Sequence, residues 1–250
     1  MKKLFGFLFL FALVGLSACG DDSNEPATGS LQLNFILEYE GEPLVMNETL
    51  TYENGLPMNY SRVNMYLSNF ILGDRNLADI AFLDFTDVNV TAGQAQAGQF
   101  IQFDEIPAGD YGPLQYSVGV PKELNAQKPA DFPAGHPLAL TSEYWAGWNS
   151  YIFAKYEGKL DLEGDEMLET GFTFHTGSDP VFRSLTFDRN ISINANETTT
   201  INFVINAKEM FHLEDGFLDL TEIQGAHNEG AMDLMMGISD NYVSAISIKE

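Results

Sequence analysis

The sequence predicts an all-β protein: an antiparallel β-sandwich with a few short helices and long loops. Three observations carry this expectation. Apolar residues recur at every second position in about ten short segments, the period of a half-buried strand. Turn chemistry rich in Gly, Pro, Asn and Asp separates those segments. Segments with a helical period are few and short.

The first strand begins near Leu31, where Leu31, Leu33, Phe35 and Leu37 alternate with Gln32, Asn34 and Ile36. It ends at the turn Glu40-Gly41-Glu42-Pro43. Residues 63–72 read as a second strand, and 81–85 and 100–103 as short ones. Ile106-Pro107-Ala108-Gly109-Asp110-Tyr111 is a turn leading into a strand over 114–120. Further strands are expected at 151–158, 171–175 and 184–187. Residues 191–193 and 199–206 are expected to form a hairpin about Asn194-Ala195-Asn196. Helical signals appear at 121–125, 207–211 and 230–238. The last places Met232, Met235 and Met236 on one face, which reads as a packed apolar face, with soft metal ligation as the alternative. The Pro- and Gly-rich stretch 127–137 is a long loop, and long ordered loops are common sites of function. With no internal repeat and no strong linker, residues 30–250 are expected to form one sandwich domain.

The first 29 residues have a different logic. Lys2 and Lys3 are the only charges before an apolar run over residues 4–13, broken by Gly6, and Leu16-Ser17-Ala18-Cys19 follows. This is the plan of a secretory signal over residues 1–18, and the run is shorter than the roughly 20 residues a membrane span needs. The Leu-Ser-Ala-Cys ending resembles the lipobox of bacterial lipoproteins, which implies lipidation of Cys19 as the first mature residue. Residues 19–29 then form a lipidated, flexible acidic tether. Acidic residues directly after the lipidated cysteine resemble the surface-export signal of some Gram-negative lipoproteins. The expected location is therefore the envelope of a Gram-negative bacterium, as an outer-membrane lipoprotein presented at the surface.

Cys19 is the sole cysteine, so the fold must hold through its core and not through disulfides. The formal charge is −24, and removal of residues 1–18 with Lys2 and Lys3 leaves 232 residues at −26. Such a surface repels nucleic acid and anionic headgroups, so no nucleic-acid partner is expected. Membrane attachment falls to the acyl chains on Cys19, at about 0.8 kcal/mol per buried methylene.

Enzyme signatures are missing. There is no Gly-x-Ser-x-Gly elbow, phosphate loop or His-Glu-x-x-His pair. The 12 Lys and Arg residues serve phosphate substrates poorly, and among 36 acidic residues some pair will always fall at a suggestive distance. No Asp-x-Asp-x-Asp calcium loop occurs. No catalytic residue is assigned, and the expectation is a binding protein and not an enzyme. The four histidines are His136 in the long loop, His175 at a strand end, His212 after Met210-Phe211, and His227 in a polar segment. None forms a short-spaced ligand pair, and His212 reads as structural. Tyr144, Trp145, Trp148 and Tyr151 crowd eight residues. They suit core packing, a sugar-stacking platform, or a modified side chain beside a metal.

Several pieces together resemble a family. They are Arg62-Val63-Asn64-Met65-Tyr66-Leu67-Ser68-Asn69-Phe70-Ile71-Leu72 (R-x-x-x-Y-L-S-N-x-x-L), Ile106-Pro107-Ala108-Gly109-Asp110-Tyr111, and Ser117-Val118-Gly119-Val120-Pro121-Lys122-Glu123-Leu124-Asn125. Tyr144-Trp145-Ala146-Gly147-Trp148-Asn149-Ser150-Tyr151-Ile152-Phe153, Glu157-Gly158 and Phe172-Thr173-Phe174-His175-Thr176-Gly177 follow in order. Over residues 31–248 the chain resembles the MbnP family of exported copper-binding proteins, named for its association with methanobactin gene clusters. The resemblance implies a β-sandwich with one copper ion. It also implies a tryptophan oxidised to kynurenine by a dihaem peroxidase-like partner, the product binding copper together with histidines. Carried to this chain, the metal candidates are His175 with His136 or His227, and the candidates for modification are Trp145 and Trp148. Imidazole suits copper, and thioethers suit Cu(I). Antiparallel pairing of 151–156 with 172–175 would bring His175 and Trp148 to one end of a sheet. The rival expectation is a surface interaction or glycan-binding sandwich without a metal.

Overall fold

The structure is a computed structural model that describes residues 26–249. Cys19, the signal segment and most of the expected tether lie outside the described residues. The strands used below are β1 (Thr28–Tyr39), β2 (Pro57–Leu72), β3 (Arg75–Asp84), β4 (Gln99–Pro107), β5 (Leu114–Val118) and β6 (Tyr144–Trp145). After them come β7 (Ser150–Leu160), β8 (Thr170–Gly177), β9 (Arg183–Phe187), β10 (Thr198–Asn206), β11 (Gly225–Ala226) and β12 (Ile246–Ile248). The helices are α1 (Ala92–Ala97), α2 (Lys122–Asn125), α3 (Met232–Asp240) and α4 (Tyr242–Ala245).

Two sheets face each other, as the alternation predicts. The five-stranded sheet runs β12-β10-β1, with β4 and the short strand Glu42–Pro43 on the far side of β1. The nine-stranded sheet runs β9-β5-β2-β7-β8-β11, with β3 and the short strand Leu50–Thr51 beside β2 and β6 beside β7. Leu31, Leu33, Phe35 and Leu37 of β1 are all fully buried, so the period-two pattern read from the sequence is the core face. Phe35 stacks on Phe203 at 5.2 Å, and both meet Tyr116 of the other sheet edge-on, at 5.8 and 5.4 Å. Burying each such side chain stabilises the fold by roughly 1.5–3 kcal/mol.

The expected hairpin over 191–206 does not form. The chain does turn there, with Asn196 at φ +60. The flanking strands, however, join different sheets: Ile191–Ile193 pairs with Gly109–Tyr111, and β10 pairs in parallel with β1 from Ser30↔Thr198 to Glu38↔Asn206. A three-residue strand offers β10 a short ladder; β1 offers pairing along its length and a face for Ile201, Phe203 and Ile205. Thr28 and Gly29, read as the end of the tether, already belong to β1. Strand β3 is longer than the expected 81–85, because it pairs with β2 along its whole length, while most of its side chains are only half-buried and Leu83 alone is buried, which weakens the alternation. Helices α1 and α4 carry too little pattern to be read from the sequence. In α1, Thr91 caps the N-terminus by accepting from the Gln94 N–H.

Met235 of α3 is fully buried, and Met232 and Met236 pack against the same core, so these methionines fill a helix face against the sandwich. The Tyr242 hydroxyl lies 3.0 Å from the Thr176 hydroxyl, fixing the end of this helical segment to the inward side of β8.

Successive residues of the nine-stranded sheet point to opposite sides. Val63, Met65 and Leu67 of β2 are buried toward the sandwich core, while Asn64 and Tyr66 face outward. On that outer face the long loop between α2 and β6 is tied down by side chains of the strands. The Tyr66 hydroxyl donates to Pro137 O at 3.0 Å, and the Tyr151 hydroxyl donates to Leu138 O at 2.8 Å. Among the described residues no helix is long and apolar enough to cross a membrane.

Candidate metal centre

The candidate centre lies on the outer face of the nine-stranded sheet, where β7 and β8 run antiparallel and Lys155 stands opposite His175. Strand β8 alternates Phe172 and Phe174 into the core with Thr173 and His175 outward. The same alternation on β7 sends Tyr156 inward and turns Lys155 and Glu157 to the outer face. The β7–β8 register slips at Phe153, where β7 carries one extra residue. Just before that bulge, Tyr144–Trp145 folds back on Ser150–Tyr151 as a tight hairpin. The Trp148 N–H donates to Trp145 O at 3.1 Å, and Asn149 adopts φ +53, a conformation asparagine tolerates better than most residues.

This hairpin places the Trp145 indole beside the His175 imidazole, with ring centroids 5.9 Å apart. Trp148 packs on the other indole at 4.3 Å. Gly177 lets the β7 backbone pass close, since a Cβ there would stand 2.8 Å from Tyr151 O, and it leaves Trp145 Cε3 in ordinary contact range at 3.7 Å. The expected end-of-sheet juxtaposition is thus found, with Trp145 and not Trp148 in contact with His175.

His175 is half-buried and oriented from behind. Its Nε2 lies 2.8 Å from Glu157 Oε1, and Arg62 Nη1 lies 3.4 Å from the same oxygen. The hydrogen bond from His175 holds the Glu157 carboxyl below the ordinary carboxylate range; Arg62 helps, and partial burial opposes. An ionised carboxylate accepts only, so in the neutral imidazole this contact assigns the proton to Nε2 and leaves the lone pair on Nδ1. A carboxylate behind an imidazole is the arrangement that fixes a ligand ring and raises its basicity.

His227 reaches this face through β11, which pairs in parallel with β8 at Thr173↔Gly225 and Phe174↔Ala226. One residue beyond that pairing, His175 and His227 follow on neighbouring strands. The His227 ring is exposed and folds back over Gly225, where a Cβ would lie 3.4 Å from its Nδ1. His136 is engaged elsewhere: its Nδ1 accepts from the Leu138 N–H at 3.1 Å, and its ring stacks on Phe132 at 4.6 Å. His212 is exposed, stacks on Phe217 at 4.5 Å and bonds Glu209. Among the described residues no three His, Cys, Asp or Glu side chains are grouped to hold a metal. The donors this face offers are therefore two imidazoles, His175 and His227, with the Trp145 indole as the remaining neighbour. That set suits a nitrogen-preferring ion such as copper if the tryptophan contributes a ligand after oxidation, and is sparse if it does not.

Glu157 and Arg62 are the residues that pattern reading passed over. Their signal was present, since Glu157 is outward on an alternating strand and pairs in register with Arg62, the first residue of the R-x-x-x-Y-L-S-N segment.

Comparison with known proteins agrees with this architecture. The structure "MbnP from Methylosinus trichosporium" matches with a TM-score of 0.53 at 15% identity, over 80% of this chain and 81% of that one. A likeness at that identity is one of fold. No curated protein matches the chain significantly. The MbnP family model matches residues 28–233, nearly the whole sandwich. The chain belongs to the MbnP family.

Proposed function

We propose that this chain is an exported, lipid-anchored protein that binds one copper ion on the outer face of its larger sheet. His175 and His227 supply imidazole ligands, and Trp145, once oxidised by a dihaem partner, supplies the third donor. The observation that carries this reading is the contact of Trp145 with a histidine that has a carboxylate behind its ring, 5.9 Å and 2.8 Å away respectively. The protein's part is binding: its residues orient the imidazoles and shelter the indole, and the oxidising chemistry belongs to the partner. The lipid on Cys19 anchors the domain in the cell envelope.

Copper titration of the purified protein tests the reading, with mass spectrometry for a mass change on the Trp145 peptide. Parent protein should bind one equivalent, and His136→Ala/His175→Ala/His227→Ala should lose it. Equal affinity in both would refute the metal reading and favour a metal-free interaction or glycan-binding module that uses the Trp145–Trp148 pair. Retention of Cys19→Ser in membranes at the parent's level would refute the anchor.

A further inference from the structure

Lys155 and Glu143 form a buried ion pair under the candidate centre. Their side chains are 5% and 6% exposed, with Nζ 2.9 Å from Glu143 Oε2. Lys155 Nζ also donates to Ser142 O at 2.8 Å, and the Ser142 hydroxyl donates to Glu143 Oε1 at 3.0 Å. Among the described residues Glu143 Oε2 is buried and accepts no hydrogen bond, so the ammonium 2.9 Å away is its only compensation. Burying two charges costs several kcal/mol per ion before their attraction is counted, and apolar residues of similar volume often serve stability as well or better. This pair therefore calls for a reason other than stability.

Its position supplies one. Lys155 stands directly opposite His175 in the β7–β8 ladder. Glu143 lies two residues before Trp145, at the end of the long loop. The tyrosine ties to Pro137 and Leu138 lie farther back along that loop, and the ladder of Tyr144–Trp145 with Ser150–Tyr151 begins only after Glu143, so Lys155 holds the two residues that enter the hairpin, Ser142 and Glu143. We propose that the Lys155–Glu143 pair is a positioning latch, holding the entry to the hairpin that carries Trp145 against β7 at the point where β7 pairs with His175 of β8. The latch deepens the copper reading, since its purpose is to set the spacing of the imidazole and the indole that becomes a ligand. Both residues act through their neighbours and touch no metal.

The test uses full-length protein in detergent and the variant Lys155→Met/Glu143→Gln, which removes both charges and keeps most of the volume. Amide exchange should rise at least about tenfold at residues 144–149 and stay unchanged in β2, β7 and β8. Copper affinity should fall about tenfold. Lys208→Met breaks a distant pair, in which Lys208 lies 2.6 Å from Glu40 and from Glu53, and should leave both readouts at the parent's level. Unchanged exchange at 144–149 in a folded double variant overturns the latch. Raised exchange with parental copper affinity overturns the positioning role. If parent protein binds no copper, the copper reading fails and the exchange result alone decides the latch. If the double variant does not fold, Glu143→Asp keeps both charges, shortens the reach by one methylene and should show the same pattern at smaller size; its absence there overturns the proposal.

Discussion

His175 and His212 each stand beside a carboxylate and an aromatic ring, and these local contacts look alike. Nε2 of His175 is 2.8 Å from Glu157 with Trp145 alongside, and Nδ1 of His212 is 3.1 Å from Glu209 with Phe217 stacked on it. What differs is the surroundings. The His175 side chain is 14% exposed and the His212 side chain 51%. His175 comes from an eight-residue strand whose other face is core and which pairs along its length with β7, whereas His212 comes from a two-residue strand paired to another two-residue strand. Glu209 sits three residues before His212, so that contact is a local one. Glu157 and His175 are brought together by a sheet ladder, and Arg62 is added from a third strand. A pairwise contact between a histidine and an acid therefore says little about function. Rigid support from several strands, together with a second imidazole on the same face, is what separates the two regions.

The largest expected effect sharpens the first half of that contrast, the two faces of β8. Phe174→Ala should cost about 3–5 kcal/mol, because the ring is fully buried and its removal leaves a cavity. His175→Ala, one position along, should cost under about 1 kcal/mol in the metal-free protein. Urea unfolding of the two variants measures both. Similar losses would mean that the outer face is part of the core and not a site resting on it.

A smaller effect addresses the carboxylates. Glu157→Gln should weaken copper binding by about tenfold, since the neutral amide no longer fixes the protonation and orientation of the His175 ring. Glu209→Gln should change it by less than about twofold, because the group it faces belongs to an exposed histidine. If the two variants behave alike, the contrast between the histidines fails.

The smallest effect is a pH dependence. The Glu157 carboxyl is held below the ordinary range in the folded chain, first by His175 and then by Arg62. A depressed folded-state value contributes stability that is present above the unfolded carboxylate range and is lost as pH falls through the folded value. The advantage of metal-free parent over Glu157→Gln should be complete near neutrality, below about 1 kcal/mol in size, and should disappear in acid. Urea midpoints measured from pH 7 to pH 3 give the answer. An advantage that grows on acidification would reverse the assigned charge state of Glu157.

Much of the architecture was legible in the chain. Period-two burial in β1, β7 and β8 is local information, because each side chain's face follows from its place in its own strand. The antiparallel pairing of 151–156 with 172–175 was also readable, and with it the arrival of an indole at His175. The reading named Trp148 for that end of the sheet, whereas the contact belongs to Trp145. The difference arises in the Ala146–Asn149 turn, which folds Tyr144–Trp145 back along β7 and leaves Trp148 outside it. The family resemblance offers His136 as an alternative to His227; in the fold its Nδ1 accepts from Leu138 N–H and its ring stacks on Phe132 within the long loop.

By itself the sequence determined the sandwich class, the core faces of the long strands, the family segments around Arg62–Leu72 and Tyr144–Phe153, and the residue types a nitrogen-ligated ion would use. Tertiary structure alone decided the parallel pairing of β1 with β10, the pairing of Gly225–Ala226 with β8 that brings the chain to His227 one residue further on, and the burial of Lys155 with Glu143. The division has one physical cause. Alternation is set by backbone geometry within a strand, while the choice of partner strand depends on free energy gained across long separations, such as the 168 residues between Asn34 and Asn202, and no local pattern records which distant ladder buries the most surface.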